Sequence, residues 1–161
     1  MKHLARPALA GLAACLIAAC ASKPPPPPPP PPPPTSFNET LSGDALFAFG
    51  KYSINDLSES GRAQLDVLAQ RIVALPALDV VHVIGHSDRI GAAAANVTLS
   101  NRRANAVKDY LVQAGVPGDR ITAVGRGSVE PVVECEGRGR GQALIDCLAP
   151  NRRVEIQVKL P

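Results

Sequence analysis

The residues Gly85-His86-Ser87-Asp88-Arg89-Ile90-Gly91 place a carboxylate at the end of an apolar run. Fifteen residues after Asp88 comes Arg103, within Leu99-Ser100-Asn101-Arg102-Arg103-Ala104-Asn105. From 96 to 114, Leu99, Ala106, Val107, Tyr110, Leu111 and Ala114 recur at helical three- and four-residue spacing. Arg103 projects from that same stripe, where a guanidinium is costly unless an anion or hydrogen-bond acceptors meet it. Asp88 is the candidate neighbour. Together they predict a pocket with one negative and one positive group.

Catalytic readings of the same stretch fail on geometry. His82 and His86 share a strand face, but four residues at ~3.3 Å separate them by about 13 Å, too far to share a metal. Ser87 between His86 and Asp88 has the residue types of a triad, yet neighbours at a strand end cannot stack in relay geometry. Gly125-Arg126-Gly127 lacks the Lys-Ser/Thr of a phosphate loop. The expectation is a binding protein without catalysis, cofactor or metal.

The chain has 161 residues and a formal charge of +3, and that excess is Lys2, Arg6 and Lys23. From Phe37 onward basic and acidic residues are equal in number. A balanced domain has no electropositive face for nucleic acid. Two Tyr, three Phe and no Trp give too few rings for a base-stacking platform.

Residues 1–19 form a signal peptide: Lys2 and Arg6 make a basic start, and Ala8 to Ala19 a run too short to span a bilayer. It ends Leu16-Ile17-Ala18-Ala19-Cys20, which resembles a bacterial lipobox with Cys20 as the lipidated residue. Leu12-Ala13-Ala14-Cys15 also fits, with a shorter hydrophobic run before it, and an ordinary cleaved signal is the remaining alternative. An Asp after the lipidated cysteine resembles an inner-membrane retention signal, so Ala21 points to the outer membrane.

Residues 20–36 read as lipid anchor and linker. Pro24 to Pro34 are eleven consecutive prolines, which adopt polyproline II and make a stiff spacer of roughly 34 Å. Cys135 and Cys147 remain. In an oxidising compartment two cysteines in one domain pair, and a loop of about a dozen residues so closed contributes about 2–3 kcal/mol. A metal site is the rival, unsupported by any CxxC or adjacent His.

Residues 37–161 then read as alternating elements. Phe37 to Phe49 holds one or two weak strands broken by Ser42-Gly43-Asp44. Ser58 to Leu75 is an amphipathic helix with Leu65, Leu68, Ile72 and Leu75 on one face, ended by Pro76. Leu78 to Ile84 is a β-branched strand. The Arg103 helix runs to Gly115, with Pro117 beyond it. Arg120 to Gly125 is a strand, Gln142 to Leu148 a short helix, and Val154 to Val158 alternates as a final strand. The order β-α-β-α-β-(α)-β predicts an α/β (α+β) two-layer sandwich, a mixed sheet with helices on one face.

Four motifs in one register carry a resemblance: Gly-His-Ser-Asp-Arg-Ile-Gly, Leu-Ser-Asn-Arg-Arg-Ala, Gly-Val-Pro-Gly-Asp-Arg-Ile and Asn-Arg-Arg-Val-Glu-Ile. Over about residues 41–159 the chain resembles the OmpA-like peptidoglycan-binding domain family. Residues 143–156 are similar to the carboxy-terminal domain of its enterobacterial members, cysteine included. The resemblance implies non-covalent binding of the meso-diaminopimelate of the Gram-negative stem peptide. Asp88 and Arg103 match the family's residues that grip its charged head, Asn96 and Leu99 match pocket-lining positions, and Arg152 lies nearby. One carboxylate and one guanidinium complement an ammonium and a carboxylate on one carbon.

Alternatives stand beside these roles: loop capping for Asp88, a purely structural pairing for Arg103, and ion pairs of Arg152 and Arg153 with Asp119, Asp146 or Glu155. The family's early Phe-Asp-Phe-Asp-Lys is Phe47-Ala48-Phe49-Gly50-Lys51 here, so Ala48 lacks a ligand-contacting carboxylate and predicts weaker affinity. With a lipid and a proline rod where other members have a β-barrel, the arrangement resembles the Pal-type lipoproteins. The implied partners are peptidoglycan, the outer membrane and envelope proteins, with the domain facing the periplasm. The alternative is a structural or protein-interaction lipoprotein that keeps the fold with little or no wall binding. Cys20→Ala should abolish labelling by radioactive palmitate and partition into membranes; retention of both would move the anchor to Cys15.

Overall fold

The structure, a computed structural model, describes residues 35–48 and 50–161. The expected signal peptide, Cys20 and the proline run therefore lie outside the described residues. Strand β1 (Phe37–Ser42) leads into a single helical turn, α1 (Gly43–Leu46). Helices α2 (Glu59–Val73) and α3 (Ala93–Gln113) alternate with strands β2 (Val80–His86) and β3 (Ile121–Gly127). Helix α4 (Gln142–Cys147) precedes β4 (Arg153–Lys159).

The sheet order is β1-β4-β2-β3. β2 and β3 run parallel across the α3 connection, and β4 is antiparallel to both β1 and β2. This is the expected mixed sheet. The second weak strand before Phe49 is the exception. The hydroxyl of Ser42 accepts from the backbone of Ala45 (3.3 Å) and caps α1, so the Ser-Gly-Asp that reads as a break starts a helix instead. Among the described residues of that stretch, Phe47 alone pairs, as an isolated bridge with Leu57.

Alternation places Val81, Val83, Val154, Ile156 and Val158 on one sheet face, where Leu65, Leu68 and Ile72 of α2 and Val107 and Leu111 of α3 meet them in one core. Ser58 caps α2 through Gly61 N (2.8 Å). Gly115 closes α3 with a left-handed φ of 100°. Ala114, counted in the apolar stripe by spacing, is exposed at that cap.

Helix α3 lies almost directly on β2 and β3, and two glycines permit it. Gly85 and Gly125 are paired across the two strands. A Cβ at Gly85 would overlap the Ser100 carbonyl, and one at Gly125 would overlap the Asn101 backbone. The Ser100 hydroxyl meanwhile accepts from Gly127 N (2.9 Å) and donates to Val97 O (3.0 Å). Because the obstructing atoms are backbone, neither side can yield without moving the helix. Gly125→Ala should lower unfolding free energy by about 3 kcal/mol, read as a reduced urea midpoint; an unchanged midpoint would show that the helix can lift freely.

Candidate functional site

Past the carboxyl end of β2 the chain turns on Asp88. Its Oδ1 accepts from Ile90 N (2.8 Å), closing a local side-chain turn. Asn96, in the first turns of α3, donates through Nδ2 to Asp88 O (3.0 Å) and Ile90 O (3.3 Å). Asn96 thus spends its amide on holding the turn. Leu99 follows on the same helix face, and Arg103 one turn later.

All five residues picked from sequence line one pocket of about 240 Å³: Asp88, Asn96, Leu99, Arg103 and Arg152. The expected pair is not formed, however. The partner of Asp88 is Arg152, whose Nη1 donates to Asp88 Oδ2 at 2.8 Å. Arg152 also grips a residue that the sequence reading missed. Its Nε lies 2.9 Å from both oxygens of Asp44, and Nη2 lies 2.7 Å from Oδ2. Asp119, Asp146 and Glu155 play no part in this pairing. Arg153 does pair with Glu155 (2.8 Å) but is buried rather than on the surface.

Asp44 reaches Arg152 because α1 starts against it. Gly43 N donates to Arg152 O (2.7 Å), and a Cβ at Gly43 would stand only 3.0 Å from that oxygen. The signal for Asp44 was present as an acidic residue two after a Ser cap, the first-turn pattern of a helix. Ala48, by contrast, is exposed and stands outside the pocket lining. Asp44 supplies the second carboxylate of the pocket.

Arg103 is 4% exposed. Its Nε donates to Lys51 O (2.9 Å), and its guanidinium carbon lies 5.4 Å from the centre of the Phe47 ring. Neither terminal nitrogen has a protein acceptor among the described residues. Burial lowers its pKa, which the nearby Asp44 opposes and Arg152 reinforces. Arg152 is shifted the other way: its hydrogen bonds to Asp44, and then to Asp88, hold it above the ordinary arginine range against desolvation. The pocket therefore contains one neutralised arginine and one desolvated arginine that still has donors to offer.

The far wall is a loop held in place by covalent and polar ties. Cys135 and Cys147 form a disulfide with a Cα–Cα distance of 6.2 Å. Arg89 donates to Cys135 O and Gly137 O, both at 2.8 Å. Asn151 accepts from Val132 N and Val133 N and donates to Val133 O. This wall brings Arg140 and Ile145 to the pocket, neither singled out from sequence.

The family model for OmpA matches residues 46–143. The chain belongs to the OmpA family. It is 46% identical over 123 residues to outer membrane protein A of Yersinia pseudotuberculosis, covering 74% of this chain and 34% of that relative. The chain thus spans about a third of that relative's length. The cell wall anchor of the T6SS from Pseudomonas aeruginosa has a TM-score of 0.60 at 32% identity, covering 77% of this chain and 81% of that one. The peptidoglycan-associated lipoprotein from Burkholderia pseudomallei has a TM-score of 0.57 at 27% identity, with coverages of 74% and 89%. The fold is thus shared with these two structures over about three quarters of the chain.

Behind the pocket, His86 is 2% exposed, and neither ring nitrogen has a hydrogen-bond partner. Nε2 lies 3.6 Å from Glu155 and Nδ1 4.0 Å from Glu130. Burial lowers its pKa below 6.5, aided by Arg153 and Arg126 and opposed by Glu155 and Glu130. A depressed folded-state pKa means the unfolded chain takes the proton first as pH falls. Stability from this residue is therefore complete above about pH 7 and declines as pH drops below 6.5 toward the folded value. Urea midpoints at pH 7.5 and 5.5 should fall further apart for the wild type than for His86→Gln; equal differences would remove His86 as the cause.

Proposed function

We propose that this protein binds peptidoglycan non-covalently through the diaminopimelate of the stem peptide and, anchored by a lipid on Cys20, ties the outer membrane to the wall from the periplasmic side. The observation that carries this reading is the buried Arg103, fixed at Nε and, among the described residues, open at both terminal nitrogens. A carboxylate can take those two donors as a bidentate acceptor. Asp88 accepts one donor on each oxygen, and a carboxylate has about four acceptor sites, so it can still receive an ammonium. A carboxylate and an ammonium on one carbon describe the side-chain head of diaminopimelate. Membership in the OmpA family supports the reading, as do two structural relatives, a cell wall anchor and a peptidoglycan-associated lipoprotein.

In this reading the wall is a ligand and not a substrate. No soluble muropeptide should be released from sacculi incubated with the protein. The binding test is titration of the full-length chain with a diaminopimelate stem peptide and with its lysine analogue, which lacks the side-chain carboxylate. Truncating one partner of a desolvated charge pair costs about 2–5 kcal/mol, so Asp88→Ala and Arg103→Ala should each weaken binding roughly thirtyfold or more. Thermal melting of both variants separates lost binding from lost folding. Equal affinity for the two peptides, or full binding by the folded variants, would overturn the assignment.

A further inference from the structure

Three guanidiniums line the pocket, from Arg103, Arg140 and Arg152, against two carboxylates, from Asp44 and Asp88. Arg152 pairs with both carboxylates. A zwitterionic head adds no net charge, so a pocket filled by it alone keeps an excess positive charge. Arg140 is the lining cation without an ion pair or side-chain hydrogen bond among the described residues.

Its backbone is nonetheless restrained on both sides. Three residues before it, Gly137 O accepts from Arg89, and the Cys135–Cys147 disulfide closes the same loop. Immediately after it, Gly141 O accepts from Leu144 N and Ile145 N (both 3.0 Å), fixing the start of α4. Gly137 and Gly139 have φ of 97° and 93°, and a Cβ on either would meet nothing within 4 Å. Those glycines serve the turn of the backbone and not close packing. The loop is bent, tied at both ends and otherwise unpacked, with an arginine presented to the pocket.

We propose that Arg140 is a specificity-determining residue that receives a second carboxylate of the ligand, beyond the head held by Arg103 and Asp88. The proposal rests on the stem-peptide reading of the pocket. On a stem that ends in diaminopimelate, the second carboxylate is either the free terminal one of that residue or the free α-carboxylate of the preceding γ-linked glutamate. Both offer Arg140 the same chemistry, and a ligand bearing either brings the pocket to electrical balance.

The test is a double-mutant cycle on the full-length chain. Wild type, Arg140→Ala and Arg140→Lys are titrated with the diaminopimelate-terminated tripeptide, its terminal amide and the tripeptide amidated at the glutamate carboxylate. In the wild type, one of the two amidations should weaken binding about tenfold, identifying the carboxylate used. Arg140→Ala should weaken the unamidated peptide by a similar factor and be insensitive to that same amidation, while Arg140→Lys should recover part of the loss. Because Arg140 is exposed, its variants should melt with the wild type. Unchanged affinity in Arg140→Ala, or an equal loss for acid and amide, would overturn this role and leave the Arg103 pocket standing. A wild type that binds none of the three peptides would overturn the pocket reading and this inference together.

Discussion

The closeness of α3 to the parallel strands β2 and β3 sets where Asp88 and Arg103 can be. Gly85 and Gly125 remove the two side chains that would hold the helix off the sheet. Ser100 then makes the contact polar as well as tight, through its bond from Gly127 N. Arg103 is three residues further along that helix, so its depth is fixed by a backbone contact and not by its own interactions. The same contact fixes Asp88, since β2 ends beside Gly85 and Asn96 ties the following turn back to α3. The Asp88–Arg103 side of the pocket is consequently a property of one βαβ unit, in the crevice beyond the carboxyl end of a parallel strand, where open α/β sheets commonly bind ligands.

Charge in that crevice is arranged in two tiers. Arg152 is held by Asp44 and Asp88 and by Ile145 O, which leaves it little to offer a ligand. Its work is to orient Asp88 and to bring α1 and α4 to the pocket, as a positioning residue. Arg103 has the reverse character. It is deeply buried, with one backbone acceptor and one aromatic face beside it. An arginine in that state carries desolvation that its protein partners only partly offset, and under the proposed reading an entering carboxylate would supply the missing acceptors.

Much of this was legible in the sequence, for identifiable reasons. Arg103 stood out because helical periodicity marks the position as buried and the residue type contradicts it. Such conflicts between local rules are where functional groups concentrate. The strands β2 and β4, the long helices and the Gly115 stop followed from spacing and cap chemistry. The pairing inside the pocket did not follow. Asp44 and Arg152 are 108 residues apart, and no local pattern reports which of several arginines a carboxylate meets. Asp44 was also obscured by a misread element, since Ser-Gly-Asp suits a turn between strands as well as the first turn of a helix. Arg140 was invisible for a different reason: an exposed arginine among glycines has no periodic signal, and only the tied loop shows that it faces the pocket.

These constraints bear on how the site achieves selectivity. Side chains as long as arginine lose substantial rotamer freedom when they are fixed on binding. Here the fold has already fixed Arg103 through Lys51 O, Asp88 through Ile90 N and Arg152 through two carboxylates. The loss is met during folding, so a ligand gains the contacts without ordering the groups that make them. A rigid pocket also has little means of rearranging to suit a poor match. Under the proposed reading, a lysine side chain, with an ammonium but no adjacent carboxylate, would leave the Arg103 donors unpaired in a desolvated place, and the penalty would fall on the wrong ligand instead of being relaxed away.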